Sequence, residues 1–258
     1  QTSVPVTPAK KMVHGIMERV KSITSLILIP GLLLLAGACS EPAPENPSLD
    51  DLGFVSLFDG ESFDGWRMNE GTSFIESSER WSIENGVIRG RFLNYFEYEP
   101  EDEEAPRPVN TWLVSDKTYS DFILRFKFRI DAGNSGFTYR SIIGSEALDS
   151  PEVDLDTGET TEQIYDTRTI NGGYVNKDYL TTVDPQLLGS AYRIDEFNQM
   201  EVRLRGTNVK VILNGVQLTD YDHEPDAPAG RAEGFITMEL HGATLANFKD
   251  VEIYEYDR

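Results

Sequence analysis

From Phe54 onward, apolar and polar residues alternate with a period of two far more often than they follow a helical period. FILRFKFRI, residues 122–130, puts Phe122, Leu124, Phe126, Phe128 and Ile130 on one face and Arg125, Lys127 and Arg129 on the other. That is a half-buried strand. MEVRLRGTNVKVILNGVQLTDY, residues 200–221, reads as three short strands, with Gly206-Thr207-Asn208 and Asn214-Gly215 supplying the turns. RWSIENGVIRG, residues 80–90, makes an earlier hairpin about Asn85-Gly86, and EGFITMEL and FKDVEIYEY add two strands near the end. Many short strands joined by Gly-rich turns predict two packed antiparallel sheets, an all-β sandwich. The charged, proline-bearing stretch 95–110, YFEYEPEDEEAPRPVN, is expected to be a solvated loop.

The first residues follow a different pattern. Lys10, Lys11, Arg19 and Lys21 precede the apolar run ITSLILIPGLLLLAGA, which ends in small residues before Cys39. This is the layout of an export signal, and Pro30 and the modest length argue against a retained membrane helix of roughly 20 apolar residues. AGAC, residues 36–39, resembles the lipobox of bacterial lipoproteins, in which the cysteine is acylated after cleavage, although Ala36 stands where a larger aliphatic residue is usual. Three parts follow: a signal peptide over 1–38, an acidic, proline-rich tether over 39–52, and a folded domain over 53–258. The expected location is the bacterial cell envelope, with a lipid anchor through Cys39 in the outer membrane. Cys39 is the only cysteine, so neither an intramolecular disulfide nor a cysteine metal cluster can form.

Charge narrows the partners. The chain carries a formal net charge of -21, and residues 39–258 alone hold 19 basic and 43 acidic residues. Such a surface repels nucleic acid and anionic lipid headgroups, and leaves neutral glycans, cations and small polar ligands compatible.

An ordered series of segments carries a family resemblance: FVSLFDGESFDGW (54–66), WSIENGVI (81–88), LVSDKTYSDFILRFKFRI (113–130), GNSGFTYR (133–140), FNQMEVRLRGTNVKVILNGVQLTDY (197–221) and GFITMELHG (234–242). Together they resemble the 3-keto-disaccharide hydrolase family, also described as 3-keto-glucoside lyase and 2-hydroxy-glucal hydratase domains. The resemblance implies a concanavalin A-like jelly-roll sandwich of two antiparallel sheets, one of which binds sugar. It also implies secreted, often lipid-anchored proteins acting on glycosides oxidised at the third carbon. The ligand expected on this ground is an oligosaccharide or small glycoside.

The ketone acidifies the proton on the second carbon, so a base can remove it while the glycosidic oxygen leaves the first carbon. That route needs a base, an acid and a stabiliser of the enolate. SPEVDLDTGE puts Glu152, Asp154 and Asp156 at alternate positions, hence on one strand face, opposite Val153 and Leu155. Crowded like charges raise at least one pKa or recruit a cation; the alternative is a solvated face of a very acidic protein. In MELHG, Met238 and Leu240 should point inward while Glu239 and His241 project together. Arg140 should share a face with Thr138 and is the candidate enolate stabiliser, or else an ordinary ion-pair partner. Glu152, Asp154, His241 and Arg140 are thus the candidate catalytic residues. Asp156, Glu239, Tyr165 and Trp112 are the candidate substrate-binding residues, with Trp112 offered as a sugar-stacking ring and Trp66 and Trp81 as core aromatics. The donor set suits Ca²⁺, Mg²⁺ or Mn²⁺ better than Zn²⁺, but DLDTGE is not an EF-hand loop, because the twelfth position from Asp154 is Tyr165. No cofactor is required by the sequence. A non-catalytic, lectin-like glycan-binding module and a two-carboxylate glycosidase are the competing readings.

Overall fold

The computed structural model describes residues 52–68, 80–92, 110–144, 147–156, 163–170, 173–225 and 232–257, with the backbone alone at 147, 165–170 and 173–178. The export signal, Cys39 and almost all of the tether lie outside the described residues, as does nearly all of the 95–110 segment. Among the described residues no helix is long and apolar enough to cross a membrane.

The folded unit is a sandwich of two antiparallel sheets. In chain order its strands are β1 (Val55–Ser56), β2 (Trp66–Met68), β3 (Trp81–Glu84), β4 (Val87–Phe92), β5 (Asn110–Ser115), β6 (Phe122–Ala132), β7 (Asn134–Ile143), β8 (Ala147–Asp156), β9 (Ile164–Ile170), β10 (Gly173–Tyr179), β11 (Asn198–Arg205), β12 (Asn208–Leu213), β13 (Val216–Asp222), β14 (Phe235–His241) and β15 (Thr244–Glu255). Sheet A runs β13-β12-β11-β6-β15-β4-β3, with β1 also paired to β15; sheet B runs β10-β9-β8-β7-β14-β5-β2.

The alternation expected in 122–130 is present. Phe122, Leu124, Phe126, Phe128 and Ile130 of β6 are buried, while Arg125, Lys127 and Arg129 lie on the outer face of sheet A, where they pair with Glu201 at 2.7 Å, Asp250 at 2.9 Å and Asp131 at 2.6 Å. Between the sheets, Phe126 meets Phe137 at 5.5 Å and Phe248 at 6.2 Å between ring centroids, and Trp81 extends the cluster. Trp66 and Trp81 are core residues, as expected, and the Trp66 indole donates to the Leu57 carbonyl at 2.6 Å. The hairpin turns are also where the sequence puts them: Asn85-Gly86 and Asn214-Gly215 all have positive φ, the geometry of a two-residue turn matched to strand twist.

One element has no counterpart in the sequence reading. A short helix, α1 (Pro185–Ala191), precedes β11; Asp184 caps it by accepting from the Gln186 N–H, and Pro185 occupies its first turn. Both are standard start signals, but seven residues are too few for an apolar period to declare itself.

Candidate active site on sheet B

The outer faces of the two sheets differ in kind. That of sheet A carries paired surface charges, whereas that of sheet B buries polar and acidic side chains. Glu152 and Glu239 are wholly buried and Asp154 is 1% exposed. Alternation accounts for their direction: Val153 and Leu155 of β8, and Met238 and Leu240 of β14, belong to the inter-sheet core, so the residues between them face outward.

Register then brings the acids together. Gly136 of β7 lies opposite Asp154 on one side and opposite Glu239 on the other, so these two acids flank it across two strand spacings, about 10 Å at Cα. Gly136 is the position that must lack a side chain. A β-carbon there would overlap the Glu152 carboxylate, which leans across the glycine from the neighbouring row. Around this centre, Asn134 donates from Nδ2 to Asp154 Oδ1 at 2.6 Å, fixing that carboxylate. Thr138 exchanges hydrogen bonds with Ser141 at 2.6 Å and Thr237 at 2.7 Å. Asp156, opposite Asn134, and His241, at the end of β14, are half-buried and form the solvent margin of the face; His241 Nδ1 lies 3.3 Å from the Gly242 carbonyl. The arrangement offers several proton acceptors and one imidazole on a single face. Among the described residues, no group of three or more His, Cys, Asp or Glu side chains is arranged to hold a metal ion.

Residues 53–254 match the family model of the 3-keto-alpha-glucoside-1,2-lyase-like domain. The chain belongs to this family. An inferred glycosyl hydrolase from Parabacteroides distasonis has the same fold, with a TM-score of 0.51 and 21% identity over 80% of this chain and 94% of its own. A Bacillus licheniformis β-glucanase superposes with a TM-score of 0.49 at 12% identity, covering 80% of this chain and 98% of its own. The corresponding values for the carbohydrate binding module CBM66 from Bacillus subtilis are 0.45, 16%, 74% and 96%. No curated protein matches. The fold is the jelly-roll sandwich that the sequence resemblance implies.

Within this lyase-like domain, Glu152, Asp154, Asp156, Glu239 and His241 share one face, as their spacing predicts. Tyr165 sits opposite Glu152 in the β8–β9 register, and its side chain lies outside the described residues. Trp112 departs from expectation. It is on the correct face, opposite Glu239, but is wholly buried in a small apolar cluster with Val114 and Leu148, so its ring is not an open stacking platform.

Arg140 departs further. Pro151 has no N–H to give to the ladder, and the β7–β8 register shifts between Thr138 and Ile142, opposite it. Inside this bulge Arg140 has φ +50°, and Gly234 packs against its backbone so closely that a β-carbon there would overlap it. Alternation is broken, and Arg140 does not share a face with Thr138. Its guanidinium turns to the end of sheet A, donating to the Gly206 carbonyl at 2.7 Å and pairing with Asp121 at 2.9 Å. Burial lowers its pKa while the Asp121 charge opposes the shift. The geometry assigns it to holding the sheets together. Arg140→Met should therefore destabilise the fold by about 2–4 kcal/mol, seen in urea denaturation, because Asp121 loses its charge partner and the Gly206 carbonyl loses its guanidinium donor, while the Gly206 N–H still bonds Asp121. Turnover by the folded fraction should stay within about threefold, whereas loss of an enolate stabiliser would cost about a hundredfold or more.

Sequence reasoning missed two residues. Gly136 carries the signal of a glycine inside a strand pattern, which marks close approach of another group. Asn110 fell at the end of the segment expected to be loop, yet it opens β5.

Proposed function

We propose that the protein cleaves 3-keto-glycosides by β-elimination followed by hydration, a net hydrolysis. The observation that carries this reading is the convergence of Glu152, Asp154 and Glu239 about Gly136, with His241 at the margin of the same face. One carboxylate removes the proton on the carbon between the ketone and the anomeric carbon, giving an enolate. The enolate re-forms a carbon–carbon double bond as the glycosidic C–O bond breaks, and the leaving oxygen takes a proton from an acid, for which His241 is the best-suited side chain. The products are the aglycone alcohol and a 2-hydroxy-enone sugar. Addition of water across that double bond gives the free 3-keto sugar, with the same groups acting in the reverse sense. Buried carboxylates suit this chemistry, since exclusion of water strengthens their interaction with charge that develops in the reaction. The apolar run before Cys39 supports an envelope location with a lipid anchor.

The test incubates purified protein with a 3-keto-glycoside and with its unoxidised parent, with and without a chelator, and measures released aglycone. Release is expected from the keto-glycoside alone. Glu152→Gln should lower kcat by about 10²–10⁴-fold with the fold retained. Binding of the parent sugar without turnover of any keto-sugar would make the protein a glycan-binding module instead.

A further inference from the structure

We propose that Asn110 is a sugar-recognition residue of the sheet B site, its carboxamide binding two neighbouring oxygens of the glycoside, one of which carries a proton. The assignment rests on the functional reading above and extends it to a residue outside the acidic group. Asn110 opens β5 directly opposite His241, and alternation puts it on the same face as Trp112, itself opposite Glu239. It is wholly buried, and neither its Oδ1 nor its Nδ2 has a hydrogen-bond partner among the described residues. The Trp112 indole N–H, on the next outward position of the same strand, is likewise buried with no partner among the described residues.

This is not how the fold treats its other buried asparagines. Asn198, equally buried in sheet A, donates from Nδ2 to the carbonyls of Arg193 and Glu196 at 2.8 and 3.1 Å, and accepts at Oδ1 from the Arg193 N–H and from Asn214, both at 2.8 Å. Asn247 donates to the Arg129 carbonyl at 3.2 Å and to Asp131 at 2.9 Å. A carboxamide buried without such bonds is costly, and the cost is recovered when a ligand supplies them.

The chemistry of the amide selects the ligand class. A cation would satisfy Oδ1 and leave the NH₂ group unbonded. An anion would satisfy the NH₂ group alone, and Glu152, Asp154 and Glu239 on the same face would repel it. A hydroxyl donating to Oδ1, beside a hydroxyl or ketone oxygen accepting from Nδ2, satisfies both atoms. The Trp112 N–H adds a further donor for a sugar oxygen.

The experiment compares wild type, Asn110→Ala and the near-isosteric Asn110→Asp on a methyl 3-keto-α-glucoside and its 4-deoxy and 6-deoxy forms, with Tm recorded for each protein. Asn110→Ala should leave the ligand-free Tm unchanged or raised, because an unbonded amide is removed. Its KM for the full substrate should rise by about tenfold or more, with kcat within about threefold. For one deoxy form the two proteins should be equal, since the partner hydroxyl is already missing. Asn110→Asp, which loses the donor, should follow the alanine variant. Unchanged KM would overturn the proposal and leave the amide holding an ordered water only. A fall in Tm, with the same loss on every ligand, would overturn it in favour of a packing role. If wild type turns over none of the keto-sugars, the functional reading fails, and calorimetric binding of methyl α-glucoside decides the proposal separately. Weaker binding by Asn110→Ala supports it; equal binding, or no binding by wild type, overturns it.

Discussion

Gly136→Ala should abolish most turnover of a 3-keto-glycoside, lowering kcat by about a hundredfold or more, while the protein stays folded. The β-carbon would occupy the space of the Glu152 carboxylate. What must yield is the far end of a side chain rather than backbone, so the fold can accommodate the change, and unfolding free energy should shift by no more than about 1–2 kcal/mol. Displacing a reacting group by about 1 Å from its working geometry is enough for a rate loss of that size. The measurement pairs steady-state kinetics with urea denaturation. Full activity in the alanine variant would remove Glu152 from the reacting groups and, with it, the geometric centre of the site.

The second large effect is on stability. His223, buried at the end of β13, bonds through Nε2 to the Tyr139 hydroxyl at 2.8 Å. Burial, and then the Arg140 charge, pull its pKa down to about 4, against a smaller opposing effect of Asp222. In the unfolded chain its pKa is the ordinary value of about 6.5. Between these values the unfolded state binds the proton and the native state does not, so stability falls as the pH is lowered from about 6.5 to about 4. The loss attributable to this group approaches about 3 kcal/mol at the acid end of that window. Urea denaturation across pH 4–7 should show the decline, and His223→Gln, which does not titrate, should flatten it. The carboxylates held low by hydrogen bonds, Asp131 and Asp220 among them, add their own loss as the pH falls toward the unfolded carboxyl value, so the two proteins are compared above about pH 5, where His223 dominates. An unflattened decline in the glutamine variant would mean that His223 is not its source.

The strands were the most legible part of the sequence, because a period of two survives wherever one face packs against a partner sheet. β6, the β11–β13 meander and both Asn-Gly turns follow directly from local chemistry. The acids of β8 and β14 were legible for the same reason: core residues alternate with them, so their direction is fixed once the strands exist. Arg140 was not, because its orientation depends on a bulge that arises between two strands, opposite Pro151 and packed against Gly234 just before a third. The burial of Trp112 and the orphaned amide of Asn110 were equally hidden. Alternation states which face a residue takes, but it does not say what that face meets. Nor does spacing reveal that Glu152 leans over Gly136, since that contact joins different strands and different rows.

The β14–β15 hairpin turns at Gly242-Ala243 and sends one strand into each sheet, β14 between β7 and β5, β15 between β6 and β4. Neither sheet is continuous until these late segments of the polypeptide are in hand. A nascent chain that has emerged only as far as residue 230 holds both sheets in halves, with Asn110 and Trp112 on a strand not yet joined to the one bearing Gly136. The keystone follows the strands it joins, so this domain should reach its working form only after residues 235–255 have been made, and removing that hairpin should dismantle the acidic face of sheet B and the hydrophobic interior together.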